Sequence, residues 1–186
     1  MSSIRRVLSG WAIKFGEAEI TVKERLVTPD GFRIAAKATR VHGVTQELAV
    51  AGSSLRCVLS EFMQDLSEAS SGGGRVVCHH AEFHCGILFS ELARCGMTDV
   101  VPRWATLVRA GVCTMDPDIG RWVRETFNEE VGTACQKHAL PLKELVSRLL
   151  PNRADLMKKH RSAGESAATV FNVWAALRDL AAPQKD

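Results

Sequence analysis

Apolar and polar positions along the chain fall into two strand-like runs, followed by helical periods broken by short apolar runs. Val7 to Phe15 and Glu19 to Val27 read as strands, the second with partial alternation and β-branched residues. The short Gly16-Glu17-Ala18 link predicts an antiparallel hairpin, and Pro29-Asp30-Gly31 a turn that ends it. Leu55, Val58, Leu59, Phe62, Met63 and Leu66 recur at helical spacing after Ser53-Ser54, which can cap the helix. Ser70 to Gly74 is a connector, with no lysine or following helix of P-loop type.

Arg75 to His79 predicts a short buried strand, and Phe83, Ile87, Leu88, Leu92 and Cys95 a helix that stops at Gly96. Gly111 to Met115 predicts another short strand. Pro117 then suits a helix start, with Ile119, Trp122, Val123 and Phe127 as its stripe. Leu142 to Leu150 predicts a helix closed by Pro151, and Gly164 onward a last helix bearing Ala167, Val170, Phe171, Trp174 and Leu177. A hairpin followed by alternating helices and strands predicts an α/β fold, a mixed sheet with flanking helices. There is no internal repeat, so residues 1–182 read as a single domain and 183–186 as a short polar tail.

Composition adds little to this picture. The 186 residues are 46% hydrophobic and 24% charged, ordinary globular usage that argues against long disorder. No run of eighteen apolar residues is present, so no membrane helix is expected. A formal net charge of +3 permits a nucleic-acid partner without arguing for one. The first fifteen residues have no apolar core and cleavage site of secretory type. Arg5 and Arg6, with no acid before Glu17, leave a mitochondrial presequence open. The six Cys form no C-x-x-C pair, and most sit among apolar neighbours. A reducing, intracellular location is therefore expected, with cytoplasm, nucleus and mitochondrion undistinguished.

Two clusters can carry chemistry. Cys78-His-His-Ala-Glu-Phe-His-Cys85 is the densest, and His80 and His84 would share a helix face. It reads either as a strand-to-helix junction or, with zinc held by His79, His80, His84, Cys78 or Cys85, as a structural metal centre. The spacing matches no complete zinc motif. The second is Lys158-Lys-His-Arg161 followed by Glu165, where the basic run can meet phosphates or simply face solvent. His160 near a carboxylate-bound metal can act as a general base on water. Asp116 and Asp118, flanking Pro117, read as helix N-terminal acids.

In order, these pieces resemble the DEDD-type (DnaQ-like, DEDDh) 3′–5′ exonuclease family, which has an RNase H-like fold. Leu26-Val-Thr-Pro29 and Ala38-Thr-Arg-Val-His-Gly-Val-Thr45 are similar to its strand end and "a-x-x-H-G-I-T" turn. Val77-Cys-His-His-Ala-Glu-Phe-His84 is similar to "v-a-H-N-A-x-F-D". Cys113-Thr-Met115 resembles the strand "x-D/C-T-l". His160-Arg-Ser-Ala-Gly-Glu-Ser-Ala-Ala-Thr169 resembles "H-x-A-x-x-D-A-x-A-T". The resemblance spans roughly residues 4 to 180 by element order.

It implies a two-metal site using Mg²⁺ or Mn²⁺, with His160 as catalytic base, Glu165 and His84 at metal positions, and His42, His80 and Phe83 in substrate binding. The chain departs from the family in three ways. By the family's order of elements, the strand carrying the D-x-E motif is expected to be missing before the hairpin. The motif's Asp is His84, which brings no negative charge, and the last Asp is Glu165, one methylene longer.

Two functions follow from the resemblance: an impaired 3′–5′ exonuclease, or a non-catalytic module of that fold binding nucleic acid or a protein partner. Arg121, Arg124, Arg148, Arg153, Lys158, Lys159 and Arg161 would supply charge for phosphates. The missing strand predicts a gap in the sheet, filled by a protein partner, a second copy or rearrangement, or else a marginally stable protein.

Overall fold

The computed structural model describes residues 8–14, 19–129, 139–157 and 162–182. Over these the chain is a mixed α/β protein, mostly helical, with two small two-stranded sheets. Strands β1 (Leu8–Ile13) and β2 (Thr21–Leu26) form the expected antiparallel hairpin, with Gly10 opposite Glu24 and Trp11 opposite Lys23. Strands β3 (Val77–Cys78) and β4 (Val112–Cys113) pair in parallel, with Cys78 opposite Cys113.

Eight α-helices lie among the described residues. Helix α1 (Ala36–His42) and helix α2 (Gln46–Val50) follow the hairpin. Helix α3 (Leu55–Ser71) starts where Ser54 accepts a hydrogen bond from the Cys57 N–H, a cap for one of the orphan donors of the first turn. Helix α4 (Ala81–Arg94) ends at Gly96, whose φ of +66° closes the last turn. Helix α5 (Val101–Arg109) leads into β4, and helix α6 (Pro117–Thr126) opens with Pro117 behind an Asp116 cap. Helices α7 (Leu142–Leu149) and α8 (Ala163–Ala181) complete the order.

Two main apolar cores result. The first joins Trp11 and Val27 of the hairpin region to Leu55, Val58, Leu59 and Met63 on one face of α3, with Leu92, Met97 and Trp104. Phe62 stands edge-on to both Trp11 and Trp104, the favoured arrangement of aromatic quadrupoles. The second gathers Val123, Leu140, Leu145, Val146, Leu156, Val173 and Leu177 where α6, α7 and α8 meet.

A polar brace ties the hairpin to α3. The Trp11 indole N–H donates to Asp65 at 2.7 Å, and Lys23 Nζ lies 2.8 Å from the same carboxylate. Arg25 grips Glu61, one turn earlier, through two bonds of 2.8 and 2.6 Å. The guanidinium holds the Glu61 carboxyl below the usual carboxylate range.

Helix α8 packs on β1, β2, β3 and α7. Its first turn sits directly on Gly10, where an ideal Cβ would stand 2.7 Å from the Ala163 carbonyl oxygen. Glu24, across from Gly10, reaches over the missing side chain and accepts the Gly164 N–H at 2.7 Å. A carboxylate at a helix N-terminus is also favoured by the peptide dipoles.

Candidate functional site

The junction of β3 and α4 concentrates the chemistry that the sequence singled out. Pairing with β4 fixes β3: the Thr114 N–H donates to the Cys78 carbonyl at 2.8 Å. Thr114 is fully buried, and its hydroxyl oxygen lies 3.0 Å from His79 Nδ1. Burial, with the nearby charges of His80 and His84, lowers the His79 pKa to about 4. His79 is therefore a neutral hydrogen-bonding side chain at neutral pH.

His80 follows with φ 63° and ψ 56°, the left-handed region that costs a non-glycine residue about 1–2 kcal/mol. This conformation turns the chain out of β3 and into α4. His80 then stacks on Phe83 at 5.4 Å between centroids and 16° between planes. Phe83 meets His84 edge-on at 5.4 Å. Phe83 remains 43% exposed, unusual for a phenyl ring. The three rings form one platform in the first turn of α4.

Sulfur meets the start of the helix. The first N–H of α4, on Ala81, points at Cys113 Sγ at 3.4 Å. Burial of Cys85, which packs against the first core, pushes its thiol pKa up.

The expected residues divide as follows. His80, Phe83 and His84 come together. His42 ends α1 and accepts the Val44 N–H on Nδ1 at 3.0 Å, a local closure of its own loop. Glu165 sits in the first turn of α8 in a capping box: its carboxylate accepts the Ser162 N–H at 2.9 Å, and Ser162 Oγ accepts the Glu165 N–H at 3.1 Å. His160 lies outside the described residues, as do Lys158, Lys159 and Arg161.

Among the described residues, no group of three or more His, Cys, Asp or Glu is arranged to hold a metal ion. Of the arginines expected to meet phosphates, Arg121 pairs with Asp118, Arg124 and Arg148 with Glu129 and Glu144, and Arg153 with Asp155. These ion pairs take up much of the positive charge that the sequence offers there. No helix among the described residues is long and apolar enough to cross a membrane.

Sequence reasoning missed two parts of this site. Thr114, the buried anchor of His79, lies just past β4, and the Cys113-Thr-Met115 resemblance gave it no role in the site. The ring platform depends on the left-handed backbone at His80, which residue type does not announce. Compared with known proteins, the chain matches no protein-family model and no curated protein.

Proposed function

We propose that the chain is a non-catalytic module of RNase H-like, exonuclease ancestry. It holds a single-stranded nucleic-acid end against the His80–Phe83 ring pair. The observation that carries this reading is that pair, stacked and open to solvent at 5.4 Å and 16°. Every base has a π-face, so an exposed ring stack grips single strands without reading their sequence. The left-handed backbone at His80 supports the reading, because strain of this kind gathers where a side chain must be aimed.

The state of Glu165 favours binding over hydrolysis. A two-metal reaction needs several carboxylates around two hard cations. The expected carboxylate is instead a helix cap, and the position of a second expected acid is occupied by the imidazole of His84.

The test is fluorescence anisotropy with labelled single-stranded DNA and RNA oligonucleotides. Loss of the Phe83 ring removes about 1–3 kcal/mol of stacking, so Phe83→Ala should weaken binding roughly five- to 150-fold. Equal affinity in both proteins, or no binding to either oligonucleotide, defeats the proposal. A parallel incubation with 3′-labelled strands and Mg²⁺ or Mn²⁺ decides the catalytic question. Degradation that disappears in His160→Ala would make the chain an exonuclease.

A further inference from the structure

The outer side of α4 leads away from the ring platform. Past Phe83 it carries Gly86, where a Cβ would meet nothing within 4 Å, and Phe89, which is 52% exposed. At 1.5 Å per residue the helix is about 21 Å long. At its far end Arg94 pairs with Asp30 at 3.0 Å, and Arg56 donates to the Cys95 carbonyl. That end therefore lies against the loop that runs from Pro29 into α1. Phe32 and Ile34 of the loop pack on Val44 and Ala49, which holds α1 and α2 in place.

This loop and helix are basic. Residues 31–46 contain Arg33, Lys37 and Arg40 and no Asp or Glu. Lys37 and Arg40 stand three apart on α1, so they are neighbours on the helix surface, and both are exposed. Neither forms an ion pair among the described residues, unlike Arg121, Arg124, Arg148 and Arg153. Arg33 is exposed too, but shares its field with Glu47 of α2. Of the acids on α4, Glu91 is buried and paired with Arg94, and Glu82 stays in the first turn. Helix α1 buries none of its residues, so its cations do not serve the core.

We propose that α4 and α1 form one track for a single strand. Bases stack on the His80–Phe83 pair and then on Phe89, and the phosphates that follow meet Lys37 and Arg40. The inference rests on the binding reading and extends it, giving the strand a path and a length. At about 3.4 Å per stacked nucleotide, α4 takes roughly six. Rings that stack and cations that follow the backbone are the two parts a sequence-tolerant single-strand site needs. They leave different signatures. A lost ring weakens binding at every salt concentration, whereas a lost cation flattens the salt dependence, because each neutralised phosphate releases a counterion.

The test is anisotropy of a labelled oligothymidylate of about twelve nucleotides, titrated between about 50 and 200 mM NaCl. Lys37→Gln with Arg40→Gln should reduce the slope of log affinity against log salt by about 1.4, so that the parent loses about sevenfold more affinity across that range. Phe89→Ala should weaken binding about five- to 150-fold at each salt concentration. Lys143→Gln with Arg178→Gln, exposed cations on α7 and α8, should leave the slope as it is. An unchanged slope in the α1 variant overturns the track. So does an equal loss in the α7 and α8 control, or parental affinity in Phe89→Ala. If those results come while Phe83→Ala still weakens binding, the ring platform stands and the track alone falls; no binding by the parent chain defeats both. Sedimentation with anionic vesicles that the α1 variant abolishes, with its oligonucleotide slope unchanged, would give the patch to a lipid surface and overturn the track.

Discussion

Gly10→Ala perturbs the seat of α8, and its cost follows from the distances there. The added methyl would stand 2.7 Å from the Ala163 carbonyl oxygen and nearer still to the Ala163 carbonyl carbon and the Gly164 nitrogen. These are backbone atoms, which cannot rotate away as a side chain would. Ordinary contact begins near 3.5 Å, so the helix must retreat by roughly 1 Å. That retreat stretches the 2.7 Å bond from Gly164 N–H to Glu24 beyond useful range. The lost charge-assisted bond is worth about 1.5–3 kcal/mol and overpacking about 1–3 kcal/mol. One displacement relieves the clash as it breaks the bond, so the two do not add in full, and about 2–4 kcal/mol is expected. In a domain of this size that lowers Tm by about 4–16 °C. Urea titration followed by tryptophan fluorescence measures the loss. Glu24→Gln should cost about 1 kcal/mol in the parent chain and under about 0.5 kcal/mol in the Gly10→Ala background. A Gly10→Ala loss below about 0.5 kcal/mol, or full additivity with Glu24→Gln, would refute the seating of α8 on Gly10.

Three further outcomes are expected. Asp65→Ala leaves the buried Trp11 indole N–H without an acceptor and should cost about 2–4 kcal/mol, whereas Asp65→Asn, which keeps an acceptor, should cost roughly half as much; equal losses in urea titration would count against the bond. His79 has a folded pKa near 4 against an ordinary 6.5, so between these values the unfolded chain binds more protons. Its contribution to stability is present above about pH 6.5 and is lost as pH falls toward 4; denaturation curves across that window should slope less in His79→Gln, and parallel profiles would contradict the burial of a neutral imidazole. His80→Gly removes the left-handed penalty and half of the ring stack together, so thermal stability should rise by about 0.5–1 kcal/mol while oligonucleotide affinity falls; a rise in both would separate the backbone turn from binding.

Elements with a buried stripe were legible in the sequence, and those without one were not. Helix α3 has a Ser cap and four buried apolar residues at helical spacing, and its start at Leu55 follows directly. Helix α1 buries none of its residues, so no periodic signal marks it, and Ala38 to Thr45 reads only as a turn. It is closed by Gly43 at φ 74°, which is consistent with the H-G pair but gives no helix period. Helix α5 buries Trp104 alone and opens around Pro102, which left it without a readable stripe. The sheet was harder still. Strands β3 and β4 are two residues each, and which strands share hydrogen bonds depends on helices that separate them in sequence.

At the candidate site, residue types were legible and their duties were not. Ser162-Ala-Gly-Glu165 has the spacing of a capping box, a local signal that the family resemblance displaced in favour of metal binding. The two readings of the Cys78–Cys85 segment differed in partners that only the fold supplies. Thr114, 35 residues away, makes it a strand-to-helix junction, with His79 held as a neutral donor or acceptor.

The seating of α8 on the hairpin also sets an order for folding in the cell. Glu24 and Gly164 are 140 residues apart, so the strands are made long before the helix that covers them. At synthesis rates of about 5–20 residues per second the delay is roughly 7–28 s. During that interval α3 can dock on the Trp11 side, because its partners are already made, but the Gly10 face has nothing to meet. Contacts across such a span slow folding and expose strand surface to other chains. Nascent hairpin is therefore the stage at which this protein should depend most on a chaperone.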